Sequence, residues 1–388
     1  MRLIGTTAMG IRLPIISPGD DLVEIVADHI LKVTEAAPLA SSDVIAVTEA
    51  IVAKAEGNFA SVNDIATDVR AKFGGAEVGL VYPMFSRNRF INILRGIAAG
   101  VKKLHVLLSF PHDEVGNPIL DINRLDEILD ALPPGMVSAA QFKAAAGDYS
   151  HPFTGVDYLK LYEEAGDNIS IYLSNDPRDI LKLTPNVLVG EIHNRFVTKS
   201  RLEKAGAKTI YTLSDVLSQS VNGSGYNPEY GVLGSNLSSE DVLKLYPARA
   251  PEFVKNLQNR LNEKTGARPE IMVYGDGAFK DPVCGIWELA DPVVSPGYTA
   301  RLGERPHEIK IKLVADTMAS GLTGEEKRKA VAEMIKSKAD NPDAFREGTT
   351  PRVYADLLGS LCDLMGGSGD KGTPVVLVRG YFDDYTAE

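Results

Sequence analysis

Four stretches of the chain carry residue types that can handle anions, metals or reacting oxygens. The densest is Met365-Gly366-Gly367-Ser368-Gly369-Asp370-Lys371-Gly372-Thr373-Pro374, where glycine fills four of the first eight positions. Glycine amides can approach a ligand closely, and successive amides can form an anion-binding nest. The second is Tyr274-Gly275-Asp276-Gly277, a carboxylate between two glycines at the end of an apolar run, Glu270–Tyr274. Such a carboxylate suits a metal or a reacting group, and it also reads as an Asp-Gly turn. The third is Lys54, shortly after the apolar run Asp43–Glu49, where an ammonium could meet a phosphate. The fourth is Ser86-Arg87-Asn88-Arg89-Phe90, two arginines at a helix start, whose forks suit carboxylates or phosphates. Solvated charges on a surface helix are the plainer reading of both the lysine and the arginines. His112–Pro118 is a further polar turn after a strand, placed where α/β folds bind ligands. His151, Glu191 and His193 lack the H-x-x-x-H type of metal spacing.

The elements that must position these residues follow from periodicity. Around the glycine stretch the order is an amphipathic run, Tyr354–Leu364, then the loop, then a β-branched run from Val375 to Gly380. Helix, loop, strand is the reverse of an ordinary P-loop, which also needs Gly directly before Lys; here Lys371 follows Asp370. A helix C-cap with a tight turn is the alternative for this loop. Near the N-terminus, Leu13–Asp21 is a turn capped by Asp20 or Asp21 that leads into a helix with Leu22, Ile25, Val26, Ile30 and Leu31 on its apolar face. Residues 58 to about 220 alternate strands (near 79–82, 104–108, 169–172, 187–189 and 209–211) with helices (near 90–100, 122–131, 157–165 and 199–206). This alternation predicts an α/β layer with a largely parallel sheet. Beyond it come a long loop, Gly225–Asn236, a helix over Glu252–Glu263, a polar strand over Glu308–Val314 and a solvated helix over Glu325–Lys338.

The chain has 388 residues and ordinary globular composition, with room for two or three domains. Its net charge of −11 argues against nucleic acid, which would want a basic face. The two cysteines, Cys284 and Cys362, are too few for a disulfide framework, and a reduced, cytoplasmic setting is expected. No apolar run of about 18 residues occurs and the N-terminus lacks a signal-peptide core, so no membrane association is expected.

With these pieces in order, the chain resembles the coenzyme F(420)-0:L-glutamate ligase family. The matching residues are Leu13-Pro14-Ile15-Ile16 with Gly19–Leu22, Asp43-Val44 through Lys54-Ala55-Glu56-Gly57, Gly234-Ser235-Asn236, Tyr274–Gly277, Val314-Ala315-Asp316 and Leu364–Gly380. The resemblance covers about 1–57 and 221–388. It implies an α/β (mixed α+β) ligase core formed by both chain ends, with 58–220 as an inserted or enlarged α/β domain. It also implies an amide-bond ligase of the γ-glutamyl type that uses GTP (or ATP) and Mg or Mn to join an amino acid, glutamate, to a carboxylate acceptor through an acyl phosphate. Leu13–Ile16, Glu49, Ala50, Lys54, Asn236 and the run Gly366, Gly367, Ser368, Gly369, Asp370, Lys371, Gly372 and Thr373 would contact nucleotide. Asp276 and Asp370 would hold metal, Asp276 and Lys54 would serve catalysis, and Arg87 and Arg89 would bind the acceptor. A homodimer is implied as well.

The sequence departs from the family at Leu233, in place of a first metal Asp, at Gly277, beside the second, and at Gly367-Ser368 in the glycine loop. Glu49-Ala50 also replaces a hydroxyl pair before Lys54. Glu49 or Asp370 could make up the missing oxygens. Two further readings follow from these losses: a ligase-like nucleotide or metabolite binding protein without catalysis, and another metal-dependent phosphoryl-transfer enzyme.

Overall fold

The computed structural model describes residues 3–113, 116, 118–152, 155–275, 279–280, 287–288, 294–317, 321–338, 352–366 and 372–384. The first stretch runs β1 (Thr7–Ile11), α1 (Leu22–Val33), β2 (Val44–Thr48), α2 (Glu49–Glu56) and β3 (Phe59–Ser61). The middle runs α3 (Val62–Phe73), β4 (Glu77–Val81), α4 (Arg87–Gly100), β5 (Lys103–Leu108), α5 (Leu125–Ala131), β6 (Val137–Ser138), α6 (Ala139–Ala146), α7 (Tyr158–Glu163), β7 (Ile169–Leu173), β8 (Asn186–Val189), α8 (Arg195–Lys204) and β9 (Thr209–Thr212). The last runs β10 (Asn236–Ser239), β11 (Val242–Lys244), α9 (Ala250–Thr265), β12 (Glu270–Gly275), β13 (Phe279–Lys280), β14 (Trp287–Glu288), β15 (Val294–Tyr298), α10 (Ile311–Asp316), α11 (Gly324–Ser337), α12 (Tyr354–Met365) and β16 (Val375–Arg379).

Both ends of the chain meet in a five-stranded sheet ordered β1-β16-β2-β12-β15. Its centre is β2, Val-Ile-Ala-Val-Thr, with every residue buried. A strand covered on both faces reads as one continuous apolar run rather than an alternation. Ile45, Val47, Ile271, Val273 and Leu377 pack on one face with Ile30 of α1 and Leu257 of α9. Val44, Ala46, Met272, Tyr274 and Val376 pack on the other with Leu358 and Cys362 of α12. Helix α1 begins where Asp21 accepts a hydrogen bond from the Glu24 amide at 3.1 Å, satisfying one of the free N–H groups of the first turn.

The middle of the chain builds a six-stranded sheet, β6-β7-β5-β4-β8-β9, parallel from β7 to β9 with β6 antiparallel at its edge. The chain starts at β4, moves outward through β5 and β7, then returns to β8 and β9 on the other side, a doubly wound order. Val78 and Leu80 face α3 and α4, while Val81 faces Leu202 of α8 and Ile180 of the turn before β8, as the two-residue period of a strand requires. A three-stranded sheet, β10-β11-β3, touches α2 through β11 and α4 through β10. Taken together this is a mixed α/β fold. Among the described residues no helix is long and apolar enough to cross a membrane.

Three local expectations are corrected. Residues 311–314 of the expected polar strand lie in α10, which runs on to Asp316. The alternation of Ile309, Ile311 and Leu313 suggests a strand, but Ile309 and Val314 pack against Val331 and Ile335 of α11, not against a sheet. Helix α11 is therefore not wholly solvated: Val331, Ala332 and Ile335 are buried. Asn236 opens a strand instead of closing a loop.

Candidate active site

The strand directions decide what meets at the edge of the five-stranded sheet. β16 is antiparallel to β1 and β2, β12 is parallel to β2, and β15 is antiparallel to β12. The ends of β1, β2 and β12 therefore lie at one edge, with the beginnings of β15 and β16. Four of the predicted stretches leave or enter the sheet there: Leu13–Ile16 after β1, Glu49 after β2, the residues following Gly275 after β12, and Thr373 before β16.

Contacts tie these stretches together. The Thr48 amide donates to the Pro374 carbonyl at 2.9 Å. A Cβ on Gly10 would stand 3.1 Å from Thr373 Cβ, so β1 lies directly against the end of the glycine loop. A Cβ on Gly366 would stand 2.8 Å from the Thr373 carbonyl and 3.0 Å from the Tyr274 hydroxyl. Both mouths of the loop, Gly366 and Gly372-Thr373, are thus at this edge. Gly367, Ser368, Gly369, Asp370 and Lys371 lie outside the described residues, as do Asp276 and Gly277. Leu13 is half-buried and Ile16 buried against the sheet's core, with Pro14 and Ile15 exposed between them. The chain then reaches Gly19, whose amide donates to Ala55 at 2.9 Å. Lys54 is half-buried in the last turn of α2, about 7.5 Å along the helix from Glu49. Ala50 is in its first turn.

Glu49 is buried, and its carboxylate takes a 2.6 Å ion pair from Lys244 Nζ. Gly275 presses on the same side chain: a Cβ there would stand 2.2 Å from Glu49 Cγ. Lys244 ends β11 directly opposite Asn236 in the antiparallel pair, so the two side chains share one face of the hairpin. The sequence motifs contain Glu49 and Asn236 but omit Lys244. The signal was the hairpin pattern Asn236-Leu237-Ser238-Ser239-Glu240-Asp241-Val242-Leu243-Lys244, which places first and last residues face to face. Tyr274 and Ser235 lie inside two of the motifs, which give them no role of their own. Among the described residues the Tyr274, Ser235 and Thr373 hydroxyls are buried without a hydrogen-bond partner. Burial pushes the Tyr274 hydroxyl well above the usual tyrosine range, so it acts as a neutral donor.

The turn before Asn236 is rigid. Gly234 has φ +69°, and a Cβ there would stand 1.6 Å from the Tyr246 ring, so only glycine fits. Leu233 is buried with Met84, Phe90 and Ile93, which leaves that position apolar. The same packing brings the beginning of α4 beside Gly234–Asn236, and Arg87 and Arg89 stand in its first turn. Helix α4 also grips the far end of the hairpin. Asn92 Nδ2 donates to the Glu240 carbonyl at 3.0 Å, and Arg95 pairs with Asp241 at 2.8 Å. His112, His151 and His193 join no metal-binding cluster, and among the described residues no group of three His, Cys, Asp or Glu is placed to hold a metal. A cavity of about 470 Å³ between Arg301, His307, Tyr354 and Phe382 lies at the opposite edge of the sheet, away from these residues.

An α/β sheet edge that gathers both mouths of a glycine loop, the end of β12 and a partly buried, ion-paired lysine is the kind of place where α/β enzymes bind anionic small molecules. The chain matches the family model described as F420-0:gamma-glutamyl ligase over residues 10–380, and it belongs to that family. It is accordingly an acid–amino-acid ligase, acting on small molecules. No curated protein matches it.

Proposed function

We propose that the chain is a nucleotide-dependent γ-glutamyl-type ligase. The acceptor's carboxylate attacks the terminal phosphorus of GTP or ATP, expelling GDP or ADP and forming an acyl phosphate. The amine of the amino acid, glutamate by family, then attacks the acyl carbon. Phosphate leaves, and the amine gives up a proton. Positioning and charge neutralisation carry such chemistry. The convergence of Leu13–Ile16, Glu49, the residue position after Gly275 and both mouths of the glycine loop on one sheet edge supports this reading most directly.

Amides of Gly366–Thr373 and the Lys54 ammonium would bind phosphates, and Asn236 would orient the nucleotide. Arg87 and Arg89 would take the acceptor carboxylate. Mg²⁺ or Mn²⁺ held together with phosphate oxygens needs only one or two carboxylates, which Asp276 and Asp370 would supply. When bound, it neutralises phosphate charge. Glu49 is already paired with Lys244, so it is not counted as a ligand. A homodimer and a cytoplasmic location belong to the same proposal.

The test is calorimetric titration of GTP and ATP, with and without Mg²⁺, followed by release of GDP or ADP dependent on both glutamate and a carboxylate acceptor. Asp276→Asn is expected to keep the fold and abolish turnover. Lys54→Ala is expected to weaken nucleotide binding about tenfold to hundredfold, the value of a charge-assisted contact. A chain that binds neither nucleotide overturns the reading. The buried apolar Leu233 supports the second reading, a ligase-like binding protein. That reading predicts metabolite binding without release of GDP or ADP.

A further inference from the structure

We propose that Lys244 is a phosphate-binding cation of this site, and that Glu49 is its counter-ion rather than a metal ligand. The inference rests on the ligase reading and adds a residue to it. Lys244 reaches the sheet edge from a strand of the small sheet, with its side chain 13% exposed. An ammonium offers three N–H donors, and among the described residues Glu49 is its one polar partner. The remaining donors are available to a ligand. Their surroundings are anion-seeking: Asn236 lies directly across the hairpin, and Glu49 opens α2, whose first-turn amides point toward the same edge.

Glu49 explains how a lysine is kept in such a place. A buried charge needs an opposite partner, and Glu49 is itself held by the close approach of Gly275. The pair spans α2, β11 and the end of β12, so the cation is fixed before any ligand arrives. Preorganised charge of this kind is worth more to a reacting phosphoryl group than a mobile surface lysine. The ligand is the nucleotide's polyphosphate.

The experiment compares the full chain with Lys244→Met, Glu49→Gln and the double variant. Each is titrated with GTP and ATP in EDTA and in Mg²⁺, and each is melted. Lys244→Met is expected to raise the nucleotide Kd about tenfold to hundredfold in both conditions, because the contact does not depend on metal. Glu49→Gln is expected to keep or tighten binding in EDTA, since a negative charge has left an anion site. The double variant is expected to recover part of the melting temperature lost in Lys244→Met, by removing a buried carboxylate that has lost its cation, yet to bind as weakly. If Lys244→Met binds nucleotide like wild type, the proposal fails while the ligase reading stands, and the pair is a staple between α2 and β11. If nucleotide Kd is unchanged but acceptor KM rises, the ammonium belongs to the carboxylate and the phosphate assignment is overturned. Loss of Mg²⁺-dependent binding in Glu49→Gln alone would make Glu49 a metal ligand. If wild type binds no nucleotide, the ligase reading fails and takes this proposal with it.

Discussion

A methyl group at Gly234 would overlap the Tyr246 ring and hold a φ of +69° that L-residues avoid. Gly234→Ala should therefore cost about 2–4 kcal/mol, from overpacking and backbone strain together. Urea denaturation checks this, and a variant as stable as wild type would show that Tyr246 moves aside freely. His151 makes a prediction of a different kind. It is 3% exposed, and burial lowers its pKa from 6.5 to about 4. The folded state thus holds the neutral ring, whereas the unfolded chain takes up a proton below pH 6.5. Its contribution to stability is complete above pH 6.5 and declines as pH falls toward 4, by at most about 1.4 kcal/mol per pH unit. In His151→Leu the slope of unfolding free energy over this window should flatten. An unchanged slope would assign the acid sensitivity to other groups.

At the scale of elements, the hairpin β10–β11 matters most, because it carries Asn236 and Lys244 at one end while α4 holds the other. Asn92 is 3% exposed and binds the turn carbonyl of Glu240. Asn92→Ala should lower stability by about 1 kcal/mol and speed hydrogen exchange of the hairpin amides. It should also raise the nucleotide Kd, by loosening the hairpin that carries Asn236 and Lys244. Faster exchange with an unaltered Kd would mean that the site does not depend on how α4 seats the hairpin. Helix α12 plays a comparable part, since it ends at Gly366 and so sets one mouth of the glycine loop.

For the molecule as a whole, we propose a ligase core from 1–57 and 221–388 with 58–220 as an inserted lobe. The two large sheets have separate apolar cores. Packing nonetheless carries the lobe's core past 220 to Val232, Leu233, Leu243 and Leu245. Calorimetry should show two overlapping transitions. A chain in which 62–212 are replaced by a short linker should expose those four apolar residues and bind a hydrophobic dye. If that chain keeps the full chain's oligomeric state, stays dye-negative and binds nucleotide, the lobe is dispensable to the site. The family match spans 10–380, the lobe included.

Local chemistry makes much of this molecule legible in its sequence. The buried run Val44–Thr48, the strand–helix alternation of the middle and the helix–glycine–strand order around 366–373 follow from periodicity and glycine placement, which need only neighbouring residues. Their resemblance to a ligase family is legible for the same reason. Short apolar alternations are less secure: from Ile311 onward this one goes to a helix, and Ile309 and Val314 find their apolar partner in α11. The Glu49–Lys244 pair is beyond any local reading, since 195 residues separate its members. Strand order and register bring them together: β2 beside β12 sets where Glu49 points, and β11 between β3 and β10 sets how far Lys244 reaches. The sequence alone determined which segments could line an anion site, because side-chain type and period are local properties. Which charges face one another there was decided only by tertiary structure, because that depends on how sheets are ordered in space.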